Sequence, residues 1–405
     1  MIIDKRRAEE LGVCVGRLEY LDQFLAKAAE EKVNPSIAIS VARRGVEIFN
    51  GAYGWAAPYG PPLKLDMITD VQSVTKPVTA TMVMMLQEDG LLNIVDPLQV
   101  YFPEYTGQDK EGVALRHLLS HVSGMTDAGV SKYQRSFISK LLGAKMPPEG
   151  APWEAWEDAV ETARRMMGHT EEERKKETMQ DFLDRLGLSA PLDNKPYTHF
   201  EYCNWGYRIL AKIVEGISGE TMDRFARRRI FEPLGMADSH FVLPEEKWPR
   251  VLLREESCRG GQWMNSEENR ASYAGSSGLK TTVSDLLLFG QMFLNRGTLG
   301  GARILSPASV RAMTADYNQS IPPSFWKGSW FGSSWGYGWN VRSSKFDDMG
   351  VLRSARAYDH AGYGGARLLV DPENDLVAAF YMVDQLDEDY ILHGKVTDIV
   401  YSALD

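Results

Sequence analysis

Cysteine is scarce: Cys14, Cys203 and Cys258 are all that a chain of 405 residues contains. Three thiols make no disulfide framework and point to a reducing compartment. Long apolar runs are missing too, with no stretch of 18 or more apolar residues to span a bilayer as a helix. Positive charge is in deficit. Lys and Arg number 45 against 55 Asp and Glu, a formal charge of −10, and no basic run is interleaved with aromatics. Nucleic acid and membrane are therefore not expected as partners. Residues 1–10 lack the apolar core of a secretory signal, and the expected location is cytoplasmic. What remains is an ordinary globular composition, 44% hydrophobic and 25% charged, on a chain long enough for a large core and two lobes. No internal repeat is visible.

Periodicity gives a coarse architecture. Leu18, Leu21, Phe24, Leu25 and Ala28 mark one side of an amphipathic helix. Residues 36–42 and 46–52 read as a hairpin around Arg44-Gly45, and 366–370 and 376–383 as strands around the turn Asp371-Pro372-Glu373-Asn374-Asp375. A closing helix is expected over 388–404. Between the ends the pattern is mostly helical, at 73–89, about 113–121, 153–186, 205–218, 221–230 and 284–295. The charged stretch 154–186 reads as a solvated helix, with a lid as the alternative. The fold class expected is α/β of the α+β kind, with one antiparallel sheet built from N- and C-terminal segments and flanked by helices. Residues 1–72 and 281–405 would form the sheet domain and 73–280 an inserted, mostly helical domain.

Chemistry concentrates at Ser73-Val74-Thr75-Lys76, after the extended-looking 67–71 and at the head of an apolar helical pattern of Val78, Met82, Met85 and Leu86. Positions i and i+3 share a helical face, so Ser73 Oγ and Lys76 Nζ can meet. A serine hydroxyl needs a base to become a nucleophile, and a desolvated lysine can serve. Pro77 suits a first helical turn. Alone, Ser-x-x-Lys also describes an N-cap serine beside an exposed lysine. Two further patterns weigh against that: Tyr202-Cys203-Asn204 in a tyrosine- and tryptophan-rich stretch, and His360-Ala361-Gly362 ahead of Tyr363-Gly364-Gly365.

Ser-x-x-Lys, Tyr-x-Asn and a basic residue-x-Gly, in that order, resemble the three-part pattern of the penicillin-recognising serine enzymes. Tyrosine in the middle motif makes the chain similar to class C β-lactamases, DD-peptidases, D-aminopeptidases and β-lactamase-like esterases. The flanking stretches 116–125, 230–239, 278–282 and 370–376 look like that family as well, over about residues 20–385.

The resemblance implies a β-lactamase/transpeptidase-like fold with its site in a cleft between sheet and helical lobe, and no cofactor. It implies Ser73 as nucleophile, with Lys76 or Tyr202 as base. Asn204, expected on the same side of an extended segment as Tyr202, would hold Lys76 and contact the substrate. The backbone N–H groups of Ser73 and Tyr363 would form the oxyanion hole, with His360 and Gly362 binding substrate. The plainer alternatives are a structural hydrogen-bond donor for Lys76 and a satisfied buried ring for Tyr202.

His360 departs from the Lys-Thr-Gly of many relatives. A neutral imidazole binds carboxylate more weakly near pH 7 and titrates in the physiological range, which weakens a penicillin-type substrate and leaves more room for a neutral ester without excluding peptides, since some carboxypeptidases and aminopeptidases of the family have His-x-Gly. Gly362, Gly364 and Gly365 suit a strand whose backbone approaches a ligand closely. Cys203 should point away from the site. His117 and His121 stand i, i+4 on an expected helix, a zinc spacing; without His-Glu-x-x-His they read as structural, and no metal is expected. Phe325, Trp326, Trp330, Phe331, Trp335, Tyr337 and Trp339 either line an acyl pocket or pack a strand.

The expected activity is a serine hydrolase acting through an acyl-enzyme on a small-molecule ester or amide, with a carboxylesterase for short to medium acyl chains favoured. A D-aminopeptidase, DD-peptidase, weak β-lactamase or acyltransferase is the alternative. A non-catalytic binding protein is disfavoured by the intact motifs.

Overall fold

Strands from opposite ends of the chain pair at the centre of the structure: Ser36–Arg43 runs antiparallel to Leu376–Met382, with Ile37 opposite Met382 and Ser40 opposite Ala379. In this computed structural model the described residues are 5–143, 146–148, 151, 153–322, 324–326, 329–331, 333–345, 347, 349–383 and 390–405. The six strands of the sheet lie in the order Val46–Gly54, Ser36–Arg43, Leu376–Met382, Ala366–Asp371, Tyr358–Gly362 and Asn340–Val341, every neighbouring pair antiparallel. Side chains alternate between the faces of a strand. Leu376, Ala378, Phe380 and Met382 join Ile37, Ile39 and Val41 in a core beneath the terminal helices Val15–Glu30 and Tyr390–Tyr401, which contribute Leu18, Leu21, Leu25, Val396 and Val400. Val377, Leu368 and Val370 face the other way. They meet helix Val283–Leu294 so closely that a Cβ on Gly290 would fall 2.6 Å from a Val377 methyl.

The chain packs as two compact units, Met1–Leu92 with Leu210–Asp405 and, separately, Asn93–Ile209. The smaller unit falls in sequence within 73–280, but the helix that carries Lys76 and residues 210–280 belong to the unit that contains the sheet. Boundaries at 72/73 and 280/281 therefore differ from the divisions seen, after 92 and after 209.

In the Asn93–Ile209 unit the charged stretch forms three helices, Trp153–Met166, Glu171–Lys176 and Met179–Gly187, where one was expected. Thr170 with Glu173 and Thr178 with Asp181 close capping boxes that restart the helix twice. Helix Asp127–Leu142 was overlooked, although Thr126 caps it and Val130, Ile138 and Leu142 recur on its buried side. Trp156, Val160, Phe182 and Leu183 pack with Ile138 and Leu142 to make this unit's core. Among the described residues no helix is long and apolar enough to cross a membrane.

Candidate active site

Ser73 sits where an extended segment turns into a helix. The short strand Thr69–Asp70 pairs with Lys280–Thr281, a 3₁₀ turn follows over Gln72–Val74, and the α-helix runs Thr75–Glu88. The turn is strained: Gln72 holds φ at +49°, a region that a residue with a Cβ enters at roughly 1 kcal/mol or more. Asp70 supplies a counterweight, its Oδ1 accepting from the Gln72 amide at 2.8 Å. Neither the strain nor the aspartate is signalled by residue spacing.

Lys76 is fully buried, and its Nζ lies 3.0 Å from Ser73 Oγ. The ammonium also donates to the Ser276 carbonyl at 2.9 Å. That carbonyl belongs to a strap alongside the helix: Thr79 Oγ1 donates to the Gly275 carbonyl at 2.7 Å, Thr75 Oγ1 accepts from the Leu279 amide at 3.1 Å, and the Val71 amide donates to the Leu279 carbonyl at 2.9 Å. Strap and helix are 200 residues apart in sequence, which is why Ser276 went unnoticed. Lys280, in the same strap, is 3% exposed, and its Nζ donates to the Phe241 and Ser272 carbonyls, so it anchors the strap. Burial lowers its pKa to about 8.

The strand Tyr358–Gly362 lies against the same turn. A Cβ built on Gly362 would meet the Val71 carbonyl oxygen at 2.1 Å, an impossible approach, so the glycine is required by protein backbone. Gly364 and Gly365, expected to face a ligand, belong to a hairpin turn. Their φ angles are +87° and +105°, and the Gly365 amide donates to the Gly362 carbonyl at 3.0 Å. Tyr363, at the tip, is half exposed.

His360 calls for a correction. It is 2% exposed, Nδ1 is 2.9 Å from the Ala361 carbonyl, and Trp335 meets its ring edge-on at 5.6 Å. Burial, reinforced by the nearby Lys76 charge, lowers its pKa to about 3. The imidazole is neutral throughout the physiological range and does not titrate there, because ionising it means placing a second cation beside Lys76 in a dry interior. Its neighbour Asp359 is fully buried between Arg367 Nη2 at 2.7 Å and Arg353 Nη1 at 2.8 Å. Burial raises its pKa, but the guanidinia win and hold it at about 2. This ion cluster fixes the strand on which His360 and Gly362 stand.

Tyr202 and Asn204 belong to the Asn93–Ile209 unit. They do not share an extended segment as expected: Asn204 is the first residue of helix Asn204–Ser218. Asp127 organises that start, accepting from Asn204 N at 3.0 Å, Asn204 Nδ2 at 2.8 Å and Trp205 N at 2.9 Å. The partly exposed ring of Tyr202 lies 4.4 Å from that of His121. Cys203 is buried, with Sγ 3.5 Å from Asp127 Oδ1, and burial together with that carboxylate pushes its thiol pKa well up, which leaves it inert.

His117 lies in helix Leu115–Leu119, but His121 lies beyond it at φ +59°, so the pair does not share a helical face. His117 Nδ1 accepts from the Ala114 amide at 3.1 Å and His121 Nδ1 from the Cys203 amide at 3.1 Å, both structural bonds. Trp335, Tyr337 and Trp339 are buried: Tyr337 stacks on Tyr317 at 4.4 Å, and Trp339 meets Phe293 at 4.9 Å. They pack the strand. The side chains of Phe325, Trp326, Trp330 and Phe331 lie outside the described residues.

Residues 21–393 match the family described as Beta-lactamase. The chain is similar to penicillin-binding protein 4 of Amycolatopsis lactamdurans, 27% identical over 334 residues, 79% of this chain and 73% of that protein. It is also similar to a putative D-alanyl-D-alanine carboxypeptidase of Escherichia coli strain K12, 21% identical over 406 residues, 93% of this chain and 84% of that protein. A solved family VIII carboxylesterase shares the fold with a TM-score of 0.69 at 18% identity, over 97% of this chain and 99% of that one.

Proposed function

Since the chain belongs to the β-lactamase family, we propose that it is a serine carboxylesterase that cleaves short to medium acyl esters through a covalent acyl-enzyme. The observation that carries this reading is the 3.0 Å contact between Ser73 Oγ and the fully buried Lys76 Nζ. Deprotonated, Lys76 takes the hydroxyl proton as Oγ attacks the ester carbonyl. The tetrahedral oxyanion rests on the backbone N–H groups of Ser73 and Tyr363, the alcohol leaves with the proton returned by Lys76, and water then releases the acid. The scheme uses no metal or organic cofactor.

Preference for an ester follows from His360. A neutral, buried imidazole supplies no cation for the carboxylate of a peptide or penicillin-type substrate. The second reading, an amide hydrolase, draws support from the carboxypeptidase named among the relatives. Hydrolysis of p-nitrophenyl acetate and butyrate, set beside a chromogenic cephalosporin and D-alanine p-nitroanilide, separates the two. The expected result is a kcat/KM for the esters roughly a hundredfold or more above that for either amide, about 3 kcal/mol of selectivity. Faster amide turnover sinks the esterase reading.

Gly362 gives a further expectation. Gly362→Ala forces its strand off the Val71 carbonyl and moves the Tyr363 amide from its place. A misplacement of about 1 Å lowers kcat roughly a hundredfold. Steady-state kinetics within twofold of the parent would show that the close approach is dispensable.

A further inference from the structure

Trp263 and Tyr363 are together and half exposed, at 44% and 46%. Their rings form an offset stack, centroids 6.3 Å apart and planes 22° from parallel. Single exposed aromatics are ordinary on a protein surface, but an exposed pair at a reactive group marks a binding surface. Tyr363 follows Gly362, whose backbone abuts the Val71 carbonyl two residues ahead of Ser73. The stack therefore begins at the amide assigned to the oxyanion.

The pair is held in place from behind. Arg254, 4% exposed, donates from Nη1 to the Gly364 carbonyl at 2.7 Å and so fixes the turn that carries Tyr363. The Arg254 amide donates to Asn265 Oδ1 at 3.0 Å, and Asn265 Nδ2 returns a bond to the Arg254 carbonyl at 2.9 Å, which ties in the loop of Trp263. The guanidinium of Arg259 lies 5.4 Å from the centre of the Tyr363 ring. Gly260, at φ +73°, lets this loop come close: a Cβ there would fall 2.5 Å from Met264 Sδ and 3.5 Å from Tyr363 Cε1. Rings fixed before binding lose little freedom when a third ring joins the stack.

We propose that Trp263 and Tyr363 are a substrate subsite that stacks an aryl group, carried on either the alcohol or the acyl side of the ester cleaved at Ser73. Its role in turnover rests on the hydrolase reading above. An aromatic arm gains offset stacking on Trp263, whereas a short alkyl arm does not. Buried Trp335, Tyr337 and Trp339 offer no such surface.

Three esters test this: benzyl acetate (ring on the alcohol), ethyl phenylacetate (ring on the acyl group) and ethyl acetate (no ring). The expected result is a kcat/KM for one aryl ester roughly tenfold above that for ethyl acetate, and loss of that ratio in Trp263→Ala. Trp263→Phe, which keeps a ring, should hold the ratio within about threefold. Whichever ester loses its advantage identifies the side that carries the ring. An unchanged ratio in Trp263→Ala overturns the proposal. Saturation-transfer NMR of N-benzylacetamide with Ser73→Ala, and with Ser73→Ala/Trp263→Ala, reads the stack without turnover. Transfer lost on adding the second substitution supports the subsite; equal transfer, or none to either protein, overturns it. Transfer that depends on Trp263 in a protein that cleaves no ester would leave the subsite standing and sink the hydrolase reading instead.

Discussion

Ser73→Ala should lower kcat for p-nitrophenyl butyrate by roughly 10⁴- to 10⁶-fold, because it removes the hydroxyl that lies 3.0 Å from Lys76 Nζ and would form the acyl bond. Intact-mass measurement after a fluorophosphonate should show one adduct on the parent and none on the variant. The hydroxyl is only partly buried at the head of its helix, so its loss opens no cavity in the core and the thermal midpoint should hardly move. Cys203, the nearest thing to a substitute nucleophile in the motifs, is buried with its thiol kept protonated. An adduct that persists on Ser73→Ala would therefore place the chemistry somewhere other than this turn.

Lys76→Met should have the next largest effect, a fall in kcat of roughly 10²- to 10⁴-fold, the usual worth of a general base. Two opposing terms decide what happens to stability. Methionine leaves the Ser276 carbonyl without its 2.9 Å donor, a loss of about 1–3 kcal/mol. It also removes a fully buried ammonium, whose desolvation is worth several kcal/mol. The second term is larger, so the thermal midpoint should hold or rise while activity collapses. Lys76→Arg separates charge from proton transfer, since a guanidinium keeps the cation but does not accept a proton at working pH. It should be as slow as Lys76→Met. Substantial activity in Lys76→Arg would show that a group other than Lys76 takes the proton.

Local patterns in the sequence correspond to local structure. The hairpin around Arg44-Gly45 appears as strands Ser36–Arg43 and Val46–Gly54, and the turn at 371–375 separates Ala366–Asp371 from Leu376–Met382. Ser73 and Lys76 meet because three residues of helical rise bring them together, whatever surrounds them. Errors arose where periodicity was followed past a local signal. Thr170 and Thr178 announce capping boxes inside the supposed single helix, and His121 leaves its helix through a left-handed residue.

Composition, alternation and three short motifs thus determined the fold class, the family and the pairing of Ser73 with Lys76, since each depends on neighbours a few residues apart. The surroundings of those motifs came from packing alone. Ser276 reaches Lys76 across 200 residues, Asp127 caps Asn204 across 77, and Asp359 joins Arg353 and Arg367 inside the sheet. Burial did the rest: the same imidazole that titrates near neutrality in water is held neutral at His360 by a dry interior and an adjacent ammonium. Charge state and hydrogen-bond partners depend on what the folded chain places nearby, and no spacing along the sequence encodes that.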